Sequence, residues 1–419
     1  MKKTLSLIKF FFVVLDGIIF FLSLSFVLYL RFGNNVWLEF NRHFPSFIFL
    51  LPFYFLFLNA FDFYNFFVLN LRTIFLNLAN FLLIIFIFSS FYFYFGQIIF
   101  SIEPKTNLFL FVFIFSLLIF ISRFVLFKLR KQVNLYFIGD QNLQLKLKND
   151  LKGNLYFIFN EDFDINNIKE NSVLVIGGHY HFDENYLQLL FNQPLTTFDF
   201  VSFYEKFFGR IPLEAIDFNL LAKEFIQTET KAYFYLKRLF DLLVGLIFFL
   251  ILIVLFPLIA LAIFLNSPGS IFFIQKRIGY HGCEFDLIKF RTMHQGSKRQ
   301  QWATGEEKKR IFFIGKILRK THLDELPQAI NLLKGDISIV GPRPEQPAIA
   351  YELEKEIPFY RLRYLIKPGI TGWAQVNYKY PETIEETKIK LEYDLFYLKN
   401  HNLFLDFLIL IKTFQKLIF

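Results

Sequence analysis

The stretch LLVGLIFFLILIVLFPLIALAIFL, residues 242–265, decides how the chain is organised. It carries no charge and is long enough to cross a bilayer, which takes about 20 apolar residues in a helix. Basic residues flank the stretch on both sides: Lys231, Lys237 and Arg238 before it, and Lys276, Arg277, Lys289 and Arg291 after it. Because positive charge marks the cytoplasmic side of a membrane segment, these symmetric flanks predict that both ends lie in the cytoplasm.

Pro257 lies inside this stretch. A proline within a helix removes a backbone hydrogen bond and clashes with the preceding turn, which bends the helix. We therefore predict a kinked re-entrant helix over residues 239–265 that enters the membrane and returns to the same side, with its break at Pro257. A straight fifth span is the alternative, and it would place the rest of the chain outside the cytoplasm.

Four further apolar runs lie upstream, at residues 10–30, 44–61, 73–102 and 106–122. Each is about long enough for one spanning helix, so residues 1–131 are predicted to form a four-helix transmembrane bundle. The first run follows Lys2, Lys3 and Lys9 without a small-residue cleavage site, which favours a retained anchor. Lys128, Arg130 and Lys131 follow the fourth run and place both ends of the bundle in the cytoplasm, although Arg31 and Arg42 in the first loop weaken this orientation.

The composition agrees with a membrane protein. Of 419 residues, 55% are hydrophobic and 21% aromatic, with 64 Phe, and the mean hydropathy is +0.42. Such a chain is neither disordered nor collagen-like. The single cysteine, Cys283, excludes an internal disulfide and a cysteine-rich metal site, so metal chemistry would need oxygen or histidine ligands.

Residues 132–230 are predicted to form a small soluble βαβ domain of Rossmann-like type. Short β-rich pieces alternate with polar, helix-capable stretches; the pieces are VNLYFIG, NLYFIF, SVLVIGG and TTFDFV. A dinucleotide fingerprint needs several glycines in the first strand-to-helix turn, and only Gly139 is there. Gly177 and Gly178 follow the third strand, where they form either a turn or a ligand site.

Most of the net charge of +9 is concentrated in residues 276–320, with twelve Lys/Arg against four acidic residues. The sequence KTHLDELPQAINLLKGD, residues 320–336, follows. Pro327 belongs in the first turn of a helix, which puts Asp324 and Glu325 at that helix's start. Free amides there favour an anion, whereas a capping box between Thr321 and Asp324 is the structural alternative.

Two arginines accompany the acidic pair. Arg319 lies just upstream, and Arg343 lies in GPRP, residues 341–344, after the short apolar strand ISIV. The two prolines restrict the backbone around Arg343, and a planar guanidinium in a stiff loop suits bidentate phosphate binding. Catalysis by Asp324 and phosphate binding by these arginines are therefore predicted together.

The chain from residue 237 to 419 resembles the bacterial sugar transferase family of polyprenyl-phosphate hexose-1-phosphate transferases. The motifs that carry the resemblance are KRLFDLL (237–243), SPGSIFFIQKRIG (267–279), KFRTM (289–293), LDELPQ (323–328), GDISIVGPRP (335–344) and KPGITGWAQVN (367–377). With its four-helix prelude, the whole chain is similar to the large undecaprenyl-phosphate galactose or glucose phosphotransferases. The resemblance implies that residues 231–419 form a monotopic catalytic domain.

The resemblance also implies the chemistry. Asp324 would be the nucleophile and, with Glu325, the dyad that works with Mg²⁺, where Glu325 acts as a metal ligand or as a base. Arg319 and Arg343 would hold phosphates, and Lys289 and Arg291 either contact phosphate or support the fold. The implied reaction moves a hexose-1-phosphate from a UDP-sugar to undecaprenyl phosphate at the cytoplasmic face of the bacterial inner membrane and starts assembly of a surface polysaccharide. A sugar-phosphoryl aspartate would form and UMP would leave. The implied partners are the UDP-sugar, undecaprenyl phosphate, membrane lipids and a second copy of the chain.

Two positions depart from the family pattern. The family often breaks its membrane helix at Ser-Pro, whereas here the pair is Phe256-Pro257 and lies a few residues later. His322 matches no family position and is interpreted as incidental. Asp16 in the first span is predicted to have a helix partner or to reach the interface rather than to catalyse.

The sugar is left open between galactose, glucose and an acetamido sugar. The rival function is a non-enzymatic membrane scaffold whose middle domain binds a nucleotide or a protein. Nucleic-acid binding is rejected, because the basic residues adjoin a membrane segment and no binding motif accompanies them.

Overall fold

A computed structural model describes the chain except for residues 1, 65–70, 97–104, 130–131, 153–155, 161–167, 169–171, 179–194, 218–219, 222–224, 226–230, 295–309 and 419. By its internal contacts the chain forms two compact units, residues 1–208 with 411–419, and residues 209–410. The predicted boundaries of three domains, 1–131, 132–230 and 231–419, stay predictions. Part of the basic segment, including residues 298, 299, 308 and 309, lies outside the described residues.

The first unit begins with four long helices where the apolar runs predicted them. They are α1 (Lys2–Phe32), α2 (Val36–Ala60), α3 (Leu71–Gly96) and α4 (Lys105–Leu129). The helix α1 packs against α2 and α4, and α3 packs against α4. The phenylalanines fill the centre of this bundle: the ring of Phe20 meets those of Phe47, Tyr54, Phe111 and Phe115 at centroid distances of 4.9–6.3 Å, mostly edge to face.

Asp16 and Arg123 form an ion pair inside this bundle, between α1 and α4. Arg123 Nη2 donates to Asp16 Oδ2 at 2.6 Å, and neither side chain is exposed. Arg123 Nε also donates to the carbonyl oxygen of Phe63 at 3.2 Å. A charge in an apolar bundle is costly unless it is paired, so this contact explains why a span tolerates Asp16. The predicted helix partner of Asp16 is thus Arg123.

The first unit also contains a parallel four-stranded sheet. Its elements are β1 (Val133–Gly139), α5 (Gln141–Asp150), β2 (Phe157–Asn160), β3 (Ser172–Gly177), β4 (Leu195–Asp199) and α6 (Phe200–Phe208). The strands lie in the order β2-β1-β3-β4 and pair in parallel throughout. All four strands were predicted from the β-rich pieces, and the helix-capable residues 141–150 do form a helix.

The second unit is built on one long helix, α7 (Lys231–Asn266). Its other helices and strands are β5 (Phe272–Ile278), β6 (Glu284–Phe290), α8 (Phe313–Lys320), α9 (Gln328–Lys334), β7 (Ser338–Val340), α10 (Pro347–Glu356), β8 (Gly369–Thr371), α11 (Trp373–Asn377), α12 (Ile384–Asn400) and α13 (Leu403–Ile418), whose last residues belong to the first unit. The strands β5 and β6 form an antiparallel hairpin, and β7 pairs with β8 in parallel.

The rest of the second unit covers one face of α7 along most of its length. Near its start, Arg238 donates to the carbonyl oxygens of Leu332 and Leu333 at 2.7 and 2.8 Å. Further along, Leu252, Ile259 and Ile263 pack with residues of β6 and α8. The opposite face exposes apolar side chains, including Leu239, Leu246, Leu250, Val254, Leu258, Leu261 and Leu265. The helix therefore has one protein-facing side and one side suited to lipid.

The sequence predicted a kink at Pro257. The structure has one continuous helix through this proline, with Phe256 stacked on Phe272 at a centroid distance of 5.6 Å. Length and hydropathy mark four stretches as able to cross a membrane: Phe10–Ala60, which runs through α1 and α2, Asn77–Gly96, Thr106–Leu129 and Ala232–Asn266. The re-entrant placement of the last stretch stays a prediction.

Removal of the Asp16 carboxylate should destabilise the bundle. Asp16→Asn leaves the buried Arg123 without its counter-charge, which typically costs about 3–5 kcal/mol. The matched control is Asp62→Asn, because Asp62 pairs with Lys412 at 2.9 Å but its side chain is 46% exposed; that pair should contribute less than about 1 kcal/mol. Thermal unfolding of the detergent-solubilised variants checks the difference, and equal losses of stability would contradict the role given to Asp16.

Candidate active site

The acidic pair lies in a tight turn between two helices. Asp324 and Glu325 belong to a 3₁₀ turn, Leu323–Glu325, which lies between α8 and α9. Pro327 is the residue before the first of α9, so the pair lies just ahead of the predicted helix start. His322 enters the turn with a left-handed backbone, φ 55°, and its carbonyl oxygen accepts from the amide of Glu325. His322, interpreted as incidental from sequence, thus shapes the turn through its backbone.

The capping box between Thr321 and Asp324, the structural alternative to a functional role, does not form. Thr321 ends α8, and its hydroxyl donates back to the carbonyl oxygens of Ile317 and Leu318 at 2.9 and 3.2 Å. Its side chain is therefore committed to the preceding helix. This removes the structural alternative that the sequence left open for Asp324.

Glu325 is held by two cations. Lys289 Nζ, from β6, and Arg343 Nη2, from the loop after β7, contact the same oxygen, Glu325 Oε1, at 2.6 and 3.2 Å. Burial alone would raise the pKa of Glu325, but the charges of Arg343 and Lys289 lower it to about 2. Glu325 is therefore ionised at any pH near neutrality and links three separate segments.

Asp324 has a different environment. Its carboxylate makes no hydrogen bond or ion pair with the described residues. Burial and the charge of Glu325 raise the pKa of Asp324, while Lys289 and Arg319 oppose the shift. Neither oxygen of Asp324 is committed to a partner among the described residues, and the residue is partly exposed. Asp324 and Glu325 thus have different contacts, because neighbouring side chains on a helical turn point in different directions.

Arg319 stands close enough to influence Asp324 electrostatically. Its Nε donates to Thr292 Oγ1 at 2.9 Å, and it has no carboxylate partner among the described residues. This contact requires α8 to lie close to residue 292: a Cβ on Gly315 would come within 2.2 Å of the Thr292 carbonyl oxygen. Arg319 is therefore oriented by the protein while its charge remains available to a phosphate.

The loop that carries Arg343 is stiff for reasons beyond its prolines. Gly341 donates its amide to the Thr371 carbonyl oxygen at 2.9 Å, and a Cβ there would lie 2.3 Å from the Lys367 carbonyl oxygen. The strand β7 thus ends in close contact with the residues around β8. Arg343 follows this contact, and its side chain is 37% exposed. It can reach both Glu325 and a bound ligand.

Arg291 does not join this group. Its guanidinium is buried and donates to the carbonyl oxygens of Ser267, at the end of α7, and Pro268. Of the two roles left open by the sequence, the structure gives Arg291 the supporting one: it joins the loop after α7 to the end of β6. Pro257 likewise takes no part, since it lies within α7 and is exposed.

Mg²⁺ fits the carboxylates only if a substrate completes its coordination. The described residues contain no group of three or more His, Cys, Asp or Glu that could hold a metal ion. Mg²⁺ commonly binds one or two carboxylates together with substrate phosphates and waters. The unpaired Asp324 suits this arrangement, while Glu325 Oε1 is already occupied by two cations.

Two other places in the described chain could in principle bind an anion. An open pocket at the start of α7 is lined by Lys237 and Arg238 among others, but by none of the predicted site residues. Its cations are engaged, Lys237 with Asp406 at 2.7 Å and Arg238 with carbonyl oxygens. In the parallel sheet, the carboxylate of Asp140 caps the start of α5 by accepting from the amide of Asn142 at 2.7 Å. An anionic nucleotide would be repelled there.

Comparison with known proteins converges on the second unit. Residues 232–419 match the family described as bacterial sugar transferase. A UDP-N-acetylgalactosamine-undecaprenyl-phosphate N-acetylgalactosaminephosphotransferase of Aeromonas hydrophila is 39% identical over 50% of this chain and 49% of its own length. A UDP-glucose:undecaprenyl-phosphate glucose-1-phosphate transferase of Escherichia coli is 40% identical over 43% of this chain and 40% of its own length. The match thus spans half or less of these two relatives.

A shorter relative is covered more completely. The UDP-glucose:undecaprenyl-phosphate glucose-1-phosphate transferase of Caulobacter vibrioides is 37% identical over 43% of this chain and 69% of its own length. The residues that match the family, 232–419, contain the acidic turn, Lys289, Arg343 and all of α7 except its first residue. The chain belongs to the bacterial sugar transferase family.

Proposed function

We propose that the protein transfers a sugar-1-phosphate from a UDP-sugar to undecaprenyl phosphate and so starts assembly of a surface polysaccharide. The observation that carries the proposal is the contrast within the acidic pair: Glu325 is neutralised by Lys289 and Arg343, while Asp324 has no partner among the described residues. One carboxylate thus organises positive charge and its neighbour is left for chemistry. The names of the relatives supply the two substrates.

The proposed reaction has two displacements at one phosphorus atom. An oxygen of Asp324 attacks the sugar-bearing phosphorus of the UDP-sugar, and the bond from that phosphorus to the bridging oxygen breaks, so that UMP leaves with this oxygen. A phosphate oxygen of the lipid carrier then attacks the same phosphorus. The bond to Asp324 breaks, which yields a polyprenyl diphosphate sugar and restores the carboxylate.

The cations of the site have separate tasks in this scheme. Arg343 and Arg319 bind phosphate oxygens, and Lys289 keeps Glu325 ionised and in place. Mg²⁺, held by Asp324 with the diphosphate, would supply further positive charge to the departing UMP. The carboxylate of Glu325 fixes Arg343 beside Asp324, so that the phosphate-binding charge is in position before the substrate arrives.

The location of the site relative to the membrane follows from α7. The second unit bonds to this helix near its start, through Arg238, and just past its end, through Ser267. A straight span would carry the packed β5–β6 hairpin, with Lys289 and Arg291, into the hydrocarbon core, where charges are very costly. We therefore favour the re-entrant placement, with the exposed apolar face of α7 in the cytoplasmic leaflet of the bacterial inner membrane and the site at the level of the carrier's phosphate.

The sugar is not decided by similarity. Relatives at 39% and 40% identity are named for N-acetylgalactosamine and for glucose. No observation on the described residues favours the rival scaffold function. At the start of α5, where a nucleotide phosphate could bind the free amides, the carboxylate of Asp140 already accepts from the amide of Asn142.

Substitution of Asp324 should abolish the reaction. With Mg²⁺, undecaprenyl phosphate and a panel of UDP-sugars, Asp324→Asn should lower UMP release by at least about a thousandfold, because an amide cannot replace the nucleophile. Glu325→Gln should lower it about 10- to 100-fold, because Lys289 and Arg343 lose their anchor. Glu284→Gln, at an exposed pair with Lys276 on the same hairpin, serves as the matched control and should retain activity. Full activity of Asp324→Asn would refute the mechanism.

The placement of α7 predicts the accessibility of Ser270. Ser270 and Asn34 are both exposed, and the only native cysteine, Cys283, can first be replaced by serine. In that background a membrane-impermeant thiol reagent should label Asn34→Cys on intact cells and Ser270→Cys only after permeabilisation. Labelling of Ser270→Cys from outside would establish a straight fifth span.

A further inference from the structure

The loop after β7 has an unusual supply of hydrogen-bond donors. Prolines at 342 and 344 remove two amides, so the loop cannot be stabilised by a regular ladder of its own. Its four successive carbonyl oxygens nevertheless all accept hydrogen bonds. The donors are the amide of Gly369 to Pro342 at 3.0 Å, Arg363 Nη2 to Arg343 at 2.9 Å, Arg277 Nη1 to Pro344 at 3.0 Å, and the amide of Ile278 to Glu345 at 2.9 Å.

Arg363 is the more deeply buried of the two arginine donors. Its side chain is 2% exposed and contacts Asp394 at 2.9 Å and the hydroxyl of Tyr360 at 2.7 Å, besides the Arg343 carbonyl oxygen. Glu345, the next residue after the GPRP sequence, pairs with Lys390 at 2.5 Å. Two buried cations, Arg363 and Lys390, therefore pair with the buried Asp394 and with Glu345 of the loop itself.

Burying these charged side chains costs desolvation free energy, which apolar side chains in the same place would not. Buried ion pairs often contribute no more stability than well-packed apolar residues, so they are poorly explained by stability alone. A guanidinium does offer several donors in a fixed plane, which can hold a backbone carbonyl and a carboxylate at once. We therefore interpret the network as a means of fixing the position of the loop rather than of stabilising the core.

Arg277 reaches the same loop from another direction. It lies on β5, and it donates to Gln275 Oε1 at 2.7 Å as well as to the Pro344 carbonyl oxygen. The two arginines, from β5 and from the segment before β8, thus bind two consecutive carbonyl oxygens, those of Arg343 and Pro344. Between them, the direction in which the Arg343 side chain leaves the backbone is determined.

We propose that Arg277 and Arg363 are positioning residues for Arg343: they fix the backbone of residues 342–345 so that the Arg343 guanidinium meets Glu325 beside Asp324. The proposal rests on the function proposed above. Arg277 and Arg363 act through Arg343 and need no contact with substrate. A guanidinium displaced by about 1 Å can cost on the order of a hundredfold in rate, which sets the scale of the expected effect.

The backbone part of the proposal can be tested in the resting protein. Hydrogen–deuterium exchange on the full chain should show faster exchange of the Gly341 and Gly369 amides in Arg363→Lys than in the wild type. The matched control is Arg210→Lys, because Arg210 forms an equally buried pair with Glu392 at 2.9 Å but does not touch the loop. Exchange of these amides that is unchanged in Arg363→Lys, or equally faster in both variants, would overturn the proposal whether or not the protein is a transferase.

The functional part needs a double-mutant cycle. UMP release per folded protein is measured for Arg363→Lys in the wild-type and in the Arg343→Ala background, with radiolabelled substrate for slow variants. Arg363→Lys should lower kcat/KM about 10- to 100-fold in the wild-type background and by less than about twofold when Arg343 is already absent. The same loss in both backgrounds would show a general structural role and overturn the proposal.

A second variant covers the case in which Arg363→Lys does not fold. Arg277→Lys changes a less buried residue on the hairpin. The same double-mutant cycle with Arg343→Ala then tests the proposal, with the same expected results. A wild-type protein that releases no UMP from any UDP-sugar would instead refute the proposed function, while the exchange measurement would still decide whether the arginines hold the loop.

Discussion

The second unit depends on one carboxylate oxygen, Glu325 Oε1, where a lysine from β6 and an arginine from the loop after β7 meet. Two cations share one carboxylate in this half-buried site, so removal of Glu325 would leave both cations without their counter-charge. The geometry of the acidic turn, of the hairpin and of the loop is therefore coupled at this point. This coupling also fixes the position of the adjacent Asp324, whose own carboxylate takes no part in these contacts.

The supports behind this contact are arranged in layers. The helix α7 provides a platform on which the hairpin, α8 and α9 rest, and Arg291 joins the end of that platform to the end of β6. Asn331, which is fully buried, ties α9 to β6 by bonding the amide of Ile288 and the carbonyl oxygen of Asp286. On the other side, Arg277 and Arg363 hold the loop of Arg343. The exposed apolar side of α7 and the acidic turn thus share one framework.

The sequence predicted the features that depend on local sequence patterns. Apolar runs located four bundle helices, β-rich pieces located all four strands of the parallel sheet, and Pro327 located the acidic pair at the start of α9. Contacts between side chains far apart in the sequence could not be predicted in the same way. Arg291 shares a short motif with Lys289, yet the two have different surroundings, because β6 ends at Phe290 and Arg291, just beyond it, bonds the loop after α7. The left-handed backbone at His322 and the arginines beneath the Arg343 loop gave no signal in one sequence, since each depends on neighbours that only the fold brings together.

In the proposed reaction Asp324 itself becomes covalently attached to the sugar phosphate. The most direct test is mass spectrometry of the protein after incubation with the reactive UDP-sugar and Mg²⁺ in the absence of a lipid acceptor. We expect an added sugar-phosphate mass on the peptide that contains Asp324, absent in Asp324→Asn and lost when undecaprenyl phosphate is supplied. Release of the lipid-linked product by an enzyme that never carries this mass, with UMP appearing only once the acceptor is present, would contradict it.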